Sequence, residues 1–133
     1  MDKMRTVGIK GELRWLNYSM DVMFDMQDKF GNIQKALDII DQGDREAVEA
    51  VRWFLVRMAN DGELCRREFG YDPLPMLEEK DITPQMRPLD YALLVEAVVD
   101  AIQLGYKREI DNQNEEIDLG LEELRAKKTT AGE

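Results

Sequence analysis

The sequence predicts a mainly α-helical protein: one compact helical domain of about five to six helices behind a short N-terminal hairpin or extended arm. Three observations carry that expectation. In DREAVEAVRWFLVRM the apolar residues Ala47, Val48, Val51, Phe54, Leu55 and Met58 recur at i, i+1, i+4, i+7, i+8 and i+11, the spacing of one helical face. Glycines and prolines (Gly31, Gly43, Gly62, Gly70, Pro73, Pro75, Pro84, Pro88, Gly105) punctuate stretches that otherwise read as helices. With 133 residues, 44% of them hydrophobic, the chain suffices for one core without a disulfide or metal staple.

Taken in order, TVGIKGELRW alternates Val7, Ile9, Leu13 and Trp15 with polar residues around a bend at Gly11. It reads as a short strand or hairpin, the alternative being an extended arm over residues 1–16. The helical domain spans 17–127 and the tail 128–133. The first helix starts at Asn17 or Ser19, both good caps, and ends at Gly31. Asp25 and Lys29 are spaced to pair along it. A second helix runs from Asn32 to about Gln42, with Ile33, Ala36, Leu37 and Ile40 inward. Asp44 caps the third. Trp53 and Val56 lie off its apolar stripe, so it is expected to be covered on more than one side. ELCRREFG suggests a further short helix, which YDPLP cannot continue. Pro88 suits the first turn of the next helix, which reaches about Leu104 before Gly105 interrupts it. Because LDYALLVEAVVDAIQL is apolar nearly all round, that helix is expected at the centre of the domain. A last amphipathic helix over 114–127 places Ile117, Leu121 and Leu124 on one side, and KKTTAGE reads as a tail.

The composition excludes several function classes. Lys and Arg number 18 against 28 Asp and Glu, a net charge of −10, which repels nucleic-acid backbones and anionic lipid. The longest apolar stretch, around Leu93–Val99, is broken by Glu96, so no membrane span is expected. MDKMRTVGIKGELRW lacks the apolar run of a secretory signal, and Cys65 stands alone; the expected compartment is the cytoplasm. Histidine is absent, which removes His-based triads and His-ligated zinc. Cys65 beside Arg66 and Arg67 has cations that favour a thiolate, but no base or second cysteine accompanies it. DNQNEEIDLGLE fails as a calcium loop because Glu116 stands where the sharp turn needs glycine. Glu46-x-x-Glu49 followed by Glu78-x-x-Asp81 imitates the paired carboxylates that bind magnesium in helical nucleotide pyrophosphatases, yet no basic cluster for a triphosphate accompanies them. Neither a phosphate-binding glycine loop nor a dinucleotide fingerprint is present. No catalytic residue, metal or cofactor is therefore expected.

NYSMDVMFDMQDKFG poses the remaining question. Met20, Met23 and Met26 advance by three, so at 3.6 residues per turn they wind around the helix and cannot all enter one core. Methionine is flexible and polarisable, suited to an irregular apolar partner. The set is read as part core and part partner-binding face, with Asp21, Asp25 and Asp28 keeping the surface solvated.

That helix resembles the opening helix of tail assembly chaperones from long-tailed phages and prophages of Gram-positive bacteria. The stretches GDREAVEAVRWFL, DYALLVEAVVDAIQLG and EEIDLGLEELRAKK are similar to later helices of the same family, so the likeness spans about residues 5–128. It implies a non-enzymatic protein of the host cytoplasm. Such a protein binds the aggregation-prone tape-measure protein, and tail-tube subunits, during tail morphogenesis, and is absent from the finished tail. It further implies a frameshifted longer product, for which Lys127-Lys128 marks a candidate slippery run. The expected contact residues are Met20, Met23 and Met26 of the first helix and Ile117, Leu121 and Leu124 of the last, with self-association through the same faces. The competing readings are an acidic adaptor or DNA-mimic inhibitor and, third, the magnesium-dependent pyrophosphatase.

Overall fold

The computed structural model describes residues 4–107. The expected last helix with Ile117, Leu121 and Leu124, the calcium-loop-like stretch 111–122, Lys127-Lys128 and the tail lie outside the described residues. Within them the chain is mainly helical behind a two-stranded hairpin. Strands β1 (Arg5–Ile9) and β2 (Glu12–Leu16) pair antiparallel, with Gly8 opposite Leu13. Their turn is Lys10-Gly11, with φ of 55° and 79°. Two consecutive left-handed residues give the turn a twist that matches its strands, and Gly11 supplies one at no steric cost.

Four helices and a 3₁₀ turn follow: α1 (Met20–Phe30), α2 (Ile33–Asp41), α3 (Arg45–Glu68), α4 (Glu79–Ile82) and the turn Thr83–Gln85. A fifth helix, α5, occupies residues 88–107. The caps are those the sequence announces. Ser19, Asn32 and Asp44 each accept a backbone N–H from three residues on, and Gly31 closes α1 at φ 102°. Such bonds satisfy donors that a helix start otherwise leaves orphaned. Asp44→Ala is expected to lower stability by about 1 kcal/mol, read as a shift in the urea midpoint.

The core gathers around α3. Val51, Phe54, Leu55, Met58 and Ala59 are fully enclosed, joined by Ile9 and Leu16 from the hairpin, Val22 and Met26 from α1, Ala36 and Ile40 from α2, and Leu94, Ala97, Val98, Ala101 and Ile102 from α5. Phe30 stacks on Phe54 with centroids 5.5 Å apart, and Trp53 stands edge-on to both rings. Trp53 and Val56 are half-buried against the core, so α3 is covered on more than one side as expected. The hairpin belongs to this core and does not stand off as an arm.

Three expectations need correction. ELCRREFG is no separate helix: Glu63 to Glu68 continue α3, which runs unbroken for 24 residues. Gly62 is a point of contact inside α3 and not a break. A Cβ there would overlap the Trp15 carbonyl and lie 2.9 Å from Trp15 Cβ. Gly105 likewise does not interrupt α5, and a Cβ on it would lie 2.7 Å from the Tyr18 carbonyl oxygen. Gly62 lets the α3 backbone press against β2, and Gly105 lets α5 press against the chain between β2 and α1. Finally, α5 is not central. One face is buried, but Leu89 is 85% exposed and Leu93 62%.

Regular structure gives out between α3 and α4, yet side chains hold that segment firmly. Arg66 donates both Nη groups to the Asp72 carbonyl at 2.9 Å, Arg67 donates to the Leu74 carbonyl at 2.7 Å, and Arg14 to the Pro75 carbonyl at 2.9 Å. Glu63 accepts the Leu74 N–H at 2.7 Å, and the Asn60 amide bonds both the N–H and the carbonyl of Leu77. Prolines deny this stretch a ladder of its own, so α3 and Arg14 of β2 supply the partners. The outer edge of β1 is covered in a related way. Gln85 accepts the Lys10 N–H at 2.6 Å and donates to the Gly8 carbonyl at 3.2 Å, while Arg5 pairs with Asp100 of α5. The two main-chain groups that Gln85 engages are not free to pair with another chain.

Candidate partner-binding surface

The three methionines of α1 separate as their spacing demands. Met26 is 1% exposed and belongs to the core, which corrects its assignment to the partner face; its side chain meets α3 and cannot reach a client. Met23 is half-buried against the same core. Met20 is 47% exposed, and one turn later Phe24, which the sequence did not single out as a contact, is 51% exposed. The outward face of α1 is thus Met20 and Phe24. Asp25 beside it pairs with Arg57 of α3 at 2.7 Å and not with Lys29, whose ammonium sits 5.8 Å from the centroid of the Phe30 ring.

A second exposed set forms where β2 meets the end of α3. Leu13 and Trp15 fall on the hairpin face opposite buried Arg14 and Leu16, as alternation requires. Trp15 lies 6.0 Å from Phe69 and 5.7 Å from Tyr71, both rings more than half exposed, and the Arg66 guanidinium lies 5.3 Å from the Tyr71 ring centroid. Aromatic rings with one wet face are favoured at interfaces because they offer large apolar area with few rotatable bonds. No helical period marks this cluster; its one sequence signal is FGY, two rings around a glycine before a proline. Leu89 and Leu93, one turn apart on α5, make a third set.

The carboxylates fall differently from their spacing. Glu78 and Asp81 close a reciprocal capping box on α4, and Asp81 also accepts from Lys10 Nζ at 3.0 Å. The Glu78 N–H first, and then Lys10, hold the Asp81 carboxyl below the usual range. Glu46 and Glu49 instead line a cavity of about 410 Å³ with Glu79, Arg52, Lys29 and the apolar Phe30, Ile39, Ala50 and Trp53. The four carboxylates of the pyrophosphatase pattern are therefore not brought together. Among the described residues no group of three or more His, Cys, Asp or Glu is placed to hold a metal ion.

Cys65 is half-buried on α3. The arginines beside it in sequence turn to Glu63, at 3.3 and 2.9 Å, and to the carbonyls of the 72–74 segment. Burial alone would raise the Glu63 carboxyl; the Leu74 N–H and the two arginines overcome this and hold it low. Burial, and then the hydroxyl of Tyr106 at 3.1 Å, pushes the Tyr18 phenol up. No helix among the described residues is long and apolar enough to cross a membrane. The chain matches no family model, no curated protein and no solved structure.

Proposed function

We propose that the chain is a non-enzymatic tail assembly chaperone of a long-tailed phage or prophage, working in the host cytoplasm. It binds the tape-measure protein, and tail-tube subunits, until the tail is built. One observation carries the reading: nine large apolar side chains stand exposed on the described surface of a chain of net charge −10. Single exposed leucines are ordinary on any protein. Here six of the nine form local groups: Met20 with Phe24, Phe69 and Tyr71 around half-buried Trp15, and Leu89 with Leu93. A tape-measure chain is largely long helix with apolar stripes, and covering them takes apolar rings and pliable side chains within a charged skin. Association that buries about 1,000 Å² or more would be specific. The helical order of the sequence and its resemblance to such chaperones supply the rest of the support.

Co-expression with the tape-measure protein of the same genome tests it. The client is expected in the soluble fraction, in complex with the chaperone, and insoluble without it. Substituting Met20→Asp together with Phe24→Asp is expected to weaken capture at least about tenfold, since each removes apolar contact area without disturbing the core. A client that precipitates regardless would sink the reading. Unchanged capture by the double variant would move the interface off α1.

A further inference from the structure

The cavity below Trp53 calls for an occupant of definite chemistry. Its lining includes the apolar Phe30, Ile39, Ala50 and Trp53, and its two basic groups are already engaged. Arg52 lies 3.7 Å from Glu79, and Lys29 rests over Phe30. Glu46 and Glu49 are different. Both are exposed, three residues apart on the α3 face that also carries Ala50 and Trp53, and neither is ion-paired among the described residues. Side chains so spaced lie side by side on a helix. The cavity thus combines two carboxylates that make no ion pair among the described residues with an aromatic lining, within the size range of sites that hold small ligands. A group that fits must be cationic at its tip and apolar along its stem.

We propose that this cavity binds an arginine side chain of a protein partner. The planar guanidinium presents several N–H donors to Glu46 and Glu49, while its three-carbon stem and flat face lie against Trp53. The proposal rests on the reading of the chain as a protein-binding module and names one anchor that a partner presents to it. The acidic character of the chain then acts locally as recognition, in addition to keeping the complex dispersed.

The test uses the whole chain, ¹⁵N-labelled, titrated with N-acetyl-arginine amide while the Trp53 indole N–H resonance is followed. Trp15, the other tryptophan, identifies itself through a Trp15→Phe control. A saturable Trp53 shift is expected with the arginine probe, at least about tenfold weaker with the uncharged isostere N-acetyl-citrulline amide. The same loss is expected in Glu46→Gln/Glu49→Gln, whose exposed positions leave folding unaffected. An equal response to both probes, or no response, overturns the proposal. So does a response to magnesium chloride alone, which would assign the carboxylates to a cation site. A lysine amide binding more tightly than arginine would overturn the guanidinium assignment. Client solubilisation is a separate readout, so failure here is distinguishable from failure of the chaperone reading.

Discussion

Gly62→Ala is expected to destabilise the protein by about 3 kcal/mol or more, lowering the thermal midpoint by about 10 °C or more. Alanine is intrinsically the better helix former by about 1 kcal/mol, so on propensity alone the change within α3 would stabilise. Sterics reverse the sign. The added methyl meets the Trp15 carbonyl and Cβ, and that backbone is fixed: β2 pairs with β1 and buries Leu16, while the Asn17 N–H bonds the Met58 carbonyl of α3 at 3.1 Å. Relief requires the hairpin to lift from α3, which uncovers Ile9 and Leu16. Gly105→Ala is expected to act in the same direction through Tyr18. Gly8→Ala is the control, because nothing lies within 4 Å of a Cβ there and its φ is not left-handed; it should be close to neutral. Circular dichroism melts of the three variants decide the matter, and a Gly62→Ala midpoint at or above that of the parent would contradict the packing described.

Glu63→Ala is the second large effect. The carboxylate is 1% exposed and answers three groups together: the Leu74 N–H, Arg66 and Arg67. Removing one partner of a buried charged network typically costs about 3–5 kcal/mol, because the groups left behind lose their compensation. Arg66 and Arg67 retain some contact with water, which places the expected loss near the lower end, about 3 kcal/mol. The 72–77 segment should loosen first. The carboxyl is held below its ordinary value in the folded state, so its contribution to stability is full above the unfolded pKa, about 4.3. That contribution is lost as pH falls through the folded value. Glu63→Gln should lower stability at neutral pH and flatten its decline on acidification. Urea midpoints at several pH values between neutrality and pH 3 would show it, and parallel declines in parent and variant would contradict the assignment.

How much of this was legible in the sequence depends on whether the signal was local. Ser19, Asn32, Asp44 and Gly31 cap helices through bonds to residues within a turn or so, and a reader of spacing finds them. Lys10-Gly11 announces its turn in the same way. Gly62 and Gly105 could not be sorted. A glycine that ends a helix and one that lets another backbone approach look identical until the approaching residue, Trp15 or Tyr18, is known. α5 reads as central because it is apolar on several sides, and composition cannot tell which side the core selects; Leu89 and Leu93 stay outside it. Met26 and Met20 pose a related problem: helical spacing separates them but does not say which of them enters the core. The cavity carboxylates show the limit most clearly. Spacing paired Glu46 and Glu49 with Glu78 and Asp81, whereas the turn of α4 presents Glu79 and folds the other two back onto their own helix.

The arrangement of Gln85 at the hairpin bears on selectivity. Standing where a neighbouring strand would stand, its amide engages the Lys10 N–H and the Gly8 carbonyl at the turn end of β1. Main-chain pairing accepts almost any sequence, whereas rings, methionines and carboxylates discriminate. With those two main-chain groups taken, attachment at this corner of the hairpin must go through side chains.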